Sequence, residues 1–148
     1  MDIVLTFLFS LYRANAVMTR RLAGHGLDFN DFMVLYFLNQ AEDRQLRRID
    51  LAQKLGLTPS GATRLLLPLE KIGLVRRDTQ EADSRARLAV LTPAGEDLLK
   101  DATATLEMRL EDAVPESDRS ALKRFTASLV EITGLPIVTG KQIGRAHV

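Results

Sequence analysis

A mainly helical α+β fold, with one small β-hairpin set among helices, is what the sequence predicts, and three observations predict it. Apolar residues recur at spacings of three and four at both ends of the chain, the period of one helical face. In the middle, two short amphipathic stretches are separated only by Gly56, Leu57 and Thr58, which reads as helix, tight turn, helix. Directly afterwards come two expected strands, 74–79 and 86–91, joined by a polar loop over 80–85, with Leu88 and Val90 alternating against Arg87. A hairpin following a helix-turn-helix is a wing, so the expected architecture is a winged helix-turn-helix flanked by N- and C-terminal helices.

Taken in order, the first helix is expected from Asp2 to about Leu22, on Ile3, Phe7, Leu11, Ala14 and Met18. Gly24 and Gly26 end it, because glycine adopts the left-handed cap conformation without a Cβ penalty. Asp28 caps a second helix carrying Phe32, Leu35, Tyr36 and Leu38. A short helix over 49–55 follows, and then one from Pro59 to about Ile72, capped by Thr58 and closed by Gly73. Pro59 suits the first turn, where its missing N–H costs nothing. Pro68, inside the same helix, removes the bond to the Arg64 carbonyl and is expected to bend it, at roughly 3 kcal/mol where nothing compensates. Thr92 and Pro93 open a helix through Leu99, Ala102, Leu106 and Leu110 to about Ala113, with Pro115 at the break. The last helix, about Glu116 to Thr133, places Leu122, Phe125, Leu129 and Ile132 on a heptad seam that wants a partner helix, in the same subunit or in a second copy.

The organisation expected is a single domain over 1–134, with the winged helix-turn-helix core at about 30–92 and dimerisation helices at 1–24 and 93–134. The tail at 135–148 has no periodic pattern and is expected to be disordered. Its last six residues, 143–148, read as foreign to the domain, since one codon choice for them spells a common sequencing-library adapter.

Hydrophobic residues make up 46% and charged residues 26% of the 148, enough apolar material for a core and too balanced for disorder. The absence of cysteine excludes disulfides, thiolate zinc sites and thiol-based sensing, and suits a cytoplasmic protein. The apolar run Ile3 to Phe9 follows Asp2 rather than a basic segment and is too short to span a bilayer, so neither a signal peptide nor a membrane is expected. The formal charge of +1 hides an asymmetry: from Arg44 to Arg87 there are ten Lys or Arg against five Asp or Glu, a net of +5. A basic middle between acidic ends is the footprint of phosphate binding or, on charge alone, a solvated face. With no Cys, no phosphate-binding Gly-rich loop, no nucleophile motif and His25 standing between two glycines, no enzyme, metal or cofactor is expected.

The run Ile49-Asp50-Leu51-Ala52-Gln53-Lys54-Leu55-Gly56-Leu57-Thr58-Pro59-Ser60, followed by Ala62-Thr63-Arg64-Leu65, resembles the helix-turn-helix of the MarR family of transcriptional regulators. The resemblance continues through Leu69-Glu70-Lys71-Ile72-Gly73-Leu74-Val75-Arg76-Arg77, then Asp83-Ser84-Arg85, then Leu91-Thr92-Pro93-Ala94-Gly95, and so covers about residues 3 to 134. It implies a homodimer that binds double-stranded DNA at a pseudo-palindromic site and regulates transcription, as a repressor relieved by a small aromatic or lipophilic ligand. In the family pattern the wing arginine enters the minor groove and the preceding aspartate holds an arginine of the same domain; these correspond to Arg85 and Asp83.

The residues read in the same direction. Small residues at the start of the recognition helix, Thr58, Ser60, Gly61 and Thr63, let it press into the major groove, and Arg64 reaches base edges or phosphate. For Ser60 and Thr63, capping or solvent exposure is the other role open. Arg76, Arg77 and Arg87 on the strands are phosphate contacts or solvated strand charges. Tyr12, Asn15, Thr19 and Tyr36 line an effector pocket or fill core and interface volume. One departure stands out: Leu65-Leu66-Leu67-Pro68-Leu69, where the family more usually has polar residues at the third and fourth positions. The competing function is a winged-helix module that binds protein; it predicts a neutral or acidic wing, and Arg85 with Arg87 argues against it.

Overall fold

Helix ends in this chain are fixed by local side-chain chemistry, and they set the element order. The structure, a computed structural model, describes the backbone of residues 2–80 and 83–133; the side chains at 79–86, 110–113 and 132–133 are outside the description, as is all of the tail expected at 135–148. Helix α1 spans Ile3–Leu22, with Asp2 accepting from the Val4 amide. It passes into a 3-10 turn, Ala23–His25, and only Gly26 takes the left-handed conformation, at φ 72°. The stop expected from both glycines is therefore the work of Gly26 alone. Helix α2, Phe29–Gln40, starts on a reciprocal capping box in which Asp28 and Asp31 each accept the other's amide, at 2.7 and 3.0 Å. Burial pushes the Asp31 carboxyl above its ordinary value.

Helix α3 is Arg48–Leu55 and α4 is Pro59–Lys71, with Thr58 accepting the Gly61 amide at 3.1 Å. Pro68 is carried inside α4 without ending it. Strands β2, Val75–Gln80, and β3, Asp83–Leu91, form a longer hairpin than expected, with a register irregularity between Thr79 and Gln80. The expected loop over 80–85 shrinks because ladder bonding continues past the last apolar residue, where no alternation marks it. A third strand, β1, at Gln45–Arg47, pairs antiparallel with β3 and gives the sheet order β1-β3-β2. Nothing in the sequence announces it, since three residues with one apolar member carry no period. It follows a turn in which Asp43 and Arg44 take φ of 51° and 54°, a conformation costly for residues with a Cβ; Arg44 is paired there with Glu96.

Residues up to 107 form one compact unit. Its core collects Leu22 of α1, Val34, Leu35 and Leu38 of α2, Leu51 of α3, Leu66 and Leu69 of α4, and Val75, Ala89 and Leu91 of the sheet. Leu99, Ala102 and Leu106 come from α5, Pro93–Ala113. Full burial of one such side chain contributes about 1.5–3 kcal/mol. The second unit runs from residue 108 and contains the end of α5 and α6, Glu116–Thr133, on which Leu122 and Phe125 are exposed.

The start of α5 is stitched to the turn after α4. Thr92 Oγ1 lies 2.6 Å from the Gly73 carbonyl and 3.0 Å from that of Leu74, and accepts the Gly95 amide at 3.1 Å. Backbone approaches so closely here that a Cβ on Gly95 would stand 2.2 Å from the Leu74 carbonyl oxygen. Gly95→Ala is therefore expected to destabilise the protein by at least about 1–3 kcal/mol in urea unfolding. Gly24→Ala, at a position with open space and ordinary backbone, should leave stability unchanged or raise it by up to about 1 kcal/mol.

Candidate nucleic-acid interface

Helix α4 has two faces with different duties. Ala62, Leu66 and Leu69 are buried, while Ser60, Arg64, Leu67, Pro68 and Lys71 are exposed along the other side. The sharp turn from α3 is closed by the Leu57 amide donating to the Ala52 carbonyl at 2.9 Å, and the Ala62 amide bonds the Thr58 carbonyl at 3.0 Å. Thr58 and Gly61 thus build the helix start, and Ser60 and Arg64 stand one turn apart on the outward face.

Thr63 has a different place. Its hydroxyl donates to the Pro59 carbonyl at 3.1 Å and accepts from Arg48 Nη1 at 3.2 Å. Arg48, only 8% exposed, also donates through Nη2 to Glu70 Oε1 at 3.0 Å, and Arg77 Nη2 reaches Glu70 Oε2 at 3.1 Å. One carboxylate on α4 therefore holds an arginine from α3 and another from β2. Arg77, expected as a phosphate contact, is tied into this triad. Arg76 pairs with Asp78 at 3.0 Å, and both are exposed enough for water to compete. Arg87 is exposed on β3. Asp83 and Arg85 begin β3, but their side chains lie outside those described, so the internal bond expected of Asp83 does too.

Sequence reasoning missed Arg48. It started α3 at Ile49, which is 59% exposed, and counted the arginine before it only within the charge of the basic segment. The signal was on the other helix: Glu70 stands four residues after Leu66 and eight after Ala62, so it continues the apolar stripe of α4. A carboxylate in that register needs a cation beside it.

The four effector-pocket candidates have different surroundings. Tyr12 is 76% exposed and lines a depression on α1 with Leu5, Leu8 and Phe9. Asn15 is exposed, and the Thr19 hydroxyl accepts the Phe29 amide at 3.2 Å, joining α1 to α2. Tyr36 stacks on Phe32 and meets Phe37 edge-on, with centroids 6.4 and 5.7 Å away; burial pushes its phenol up. His25 is a loop residue, its Nε2 lying 2.8 Å from Thr105 Oγ1 on α5.

A tight helix-turn-helix whose second helix shows a basic outward face, followed by a β2–β3 hairpin against the same core, defines a winged helix-turn-helix protein. Residues 25–86 match the family model described as MarR family. That segment, which holds the helix-turn-helix and most of the hairpin, is similar to the MarR family. The HTH-type transcriptional regulator PrsX of Escherichia coli is 33% identical over 91 residues, which are 62% of this chain and 55% of PrsX. The chain thus spans about half the length of the curated relatives it matches. Two solved structures share the fold. Sco3205, a MarR family regulator from Streptomyces coelicolor solved in complex with DNA, superposes with a TM-score of 0.70 at 22% identity, over 88% of each chain. CouR from Rhodococcus jostii RHA1, bound to p-coumaroyl-CoA, gives 0.77 at 23% identity, over 93% of this chain and 95% of CouR.

The triad makes a stability test available. Arg48→Met should leave the mostly buried Glu70 carboxylate with Arg77 as its remaining cation and one oxygen unpaired, and cost about 1–3 kcal/mol by chemical unfolding, whereas pairing it with Glu70→Leu should recover most of that loss. Arg76→Ala, which opens an exposed pair, should cost about 1 kcal/mol or less.

Proposed function

We propose that the protein is a sequence-specific double-stranded DNA-binding transcriptional regulator, a homodimeric repressor relieved by a small aromatic or lipophilic ligand. The observation that carries this reading is the outward face of α4: Ser60 and Arg64 stand free of the core at the end of the helix that small residues keep unobstructed. An arginine fork presented there suits two-bonded recognition of guanine. Sco3205, which shares the fold, was solved in complex with DNA, in keeping with a DNA partner, and the MarR-family match of residues 25–86 supports regulation rather than catalysis. Arg87 and Arg76 on the sheet, with Arg85 at the hairpin end, are the phosphate and minor-groove contacts of this reading.

The homodimer rests on the terminal helices. Ile3, Leu5, Leu8 and Phe9 of α1 are all more than 40% exposed, as are Leu122 and Phe125 of α6; each helix carries apolar residues that a second copy would cover. Tyr12 and Asn15 would line an effector site only once α1 is covered in this way; the p-coumaroyl-CoA bound by CouR fits the class of ligand. Among the described residues no helix is long and apolar enough to cross a membrane. A DNA partner is in keeping with the cytoplasmic location expected from the sequence.

Selection of bound sites from a random duplex pool, with sedimentation of the free protein, tests the reading. A paired motif with half-sites about 34–36 Å apart and a dimer at micromolar concentration are expected; no enrichment and a monomer would overturn it. On the selected site, Arg64→Ala should cost about 1–3 kcal/mol and relax preference at particular base pairs. Arg85→Ala should weaken binding across sequences and lower the magnitude of the salt slope by roughly one unit for each phosphate no longer neutralised. Asp83→Asn should impair binding although it removes a negative charge, and tighter binding by that variant would sink the wing mechanism.

A further inference from the structure

Leu67 and Pro68 have no place in the core. Leu67 is 49% exposed and Pro68 is exposed beside it, although both sit in the helix that the DNA-binding reading lays into the major groove. Among the described residues no side chain buries Leu67, the cover that an apolar residue in this register would call for. Together with Arg64, Glu70 and Lys71 the pair lines a shallow depression on the outward side of α4.

The surroundings say what fits it. Arg64 lies one turn before the apolar pair and Lys71 one turn after it, and neither cation has a carboxylate partner among the described residues. A patch framed by two available cations suits a polyanion that offers a small apolar group between its phosphates. In the major groove that group is the C5-methyl of thymine, since the other bases present only hydrogen-bonding or C–H edges there. Pro68 adds to the fit: it replaces a side chain able to donate or accept with a rigid ring.

We propose that Leu67 and Pro68 form an apolar reader of thymine methyl groups, which makes each half-site thymine-selective next to the base pair addressed by Arg64. This rests on the DNA-binding reading above and deepens it. The selectivity differs in kind from that of an arginine, because it depends on a methyl group and not on the hydrogen-bonding pattern of the pair.

The experiment replaces thymine by deoxyuridine, one position at a time, in a duplex selected from a random pool. Uridine keeps every hydrogen-bonding group and lacks only the methyl. Binding of the unaltered protein should weaken by roughly fourfold for each methyl removed from a half-site, at one or two positions adjacent to the Arg64-dependent pair. Leu67→Gln should bind thymine and uridine duplexes equally at those positions, while the effect of Arg64→Ala remains. Leu67 is exposed, so this variant is expected to unfold at the same temperature as the parent. Insensitivity of the parent to every uridine, with DNA binding intact, overturns the methyl reader and leaves the regulator reading standing. A change in the free protein's sedimentation on Leu67→Gln, with uridine sensitivity retained, assigns the patch to a second copy and overturns it as well. Failure to select any DNA removes both readings together.

Discussion

Among the described residues Arg48 is the charged side chain that the interior of the first unit accepts, and the helix-turn-helix is assembled around it. Its guanidinium meets Thr63 and Glu70 on α4 from the first turn of α3, and Glu70 passes the contact on to Arg77 of β2. Three elements are thereby fixed in their mutual angle. A buried ion pair is weak evidence for stability, because desolvation of both groups offsets most of the attraction. Its value here is directional: a leucine pair in the same space would be indifferent to a rotation of α4 that a two-sided carboxylate does not tolerate.

That constraint explains how α4 can carry features that would unsettle an isolated helix. Its first turn holds Pro59, Ser60 and Gly61, and its last holds Pro68. Serine, glycine and proline are poor helix formers, and an interior proline also deletes one backbone bond. The helix persists because Ala62, Leu66 and Leu69 are packed in the core and Glu70 is held on both sides. Tertiary anchoring on one face leaves the sequence of the opposite face free to answer to a partner rather than to helix propensity.

The same division accounts for what could be read from the sequence. Helices α1, α5 and α6 were legible almost to the residue, and α2 at its start, because long apolar periods and strong caps such as Asp28 and Thr92 mark them independently of context. The resemblance carried by Ile49 to Gly95 placed the recognition helix and wing. Features decided by distant partners were not legible. Strand β1 exists because β3 offers it a ladder through Leu46 and Ala89, and three residues cannot announce that. Thr63 looked like a groove residue by position, yet its hydroxyl is turned to Arg48, a fact set by a side chain fifteen residues earlier. Tyr12 and Thr19 share a helix face by spacing, and still one is open to solvent while the other joins α1 to α2.

Charge counting shows the same limit, and its physics ranks the cations. The +5 of the central segment suggests a broad basic surface. The structure divides it. Arg48 and Arg77 share a carboxylate that is itself mostly buried; releasing Arg48 would leave a buried guanidinium unpaired, whereas releasing the half-exposed Arg77 would leave Glu70 still bonded to Arg48. Arg47 and Arg76 are paired with Asp50 and Asp78 in exposed pairs. Arg76 can exchange its carboxylate for a phosphate at a cost of at most about 1 kcal/mol, since water already screens the bond it gives up. Arg64 and Lys71 are available at once, and they flank the apolar pair on α4. The cations that need give up no internal partner are therefore concentrated on α4 rather than spread over the segment, and on the proposed DNA-binding reading the strand arginines would join them in the order in which their partners release them.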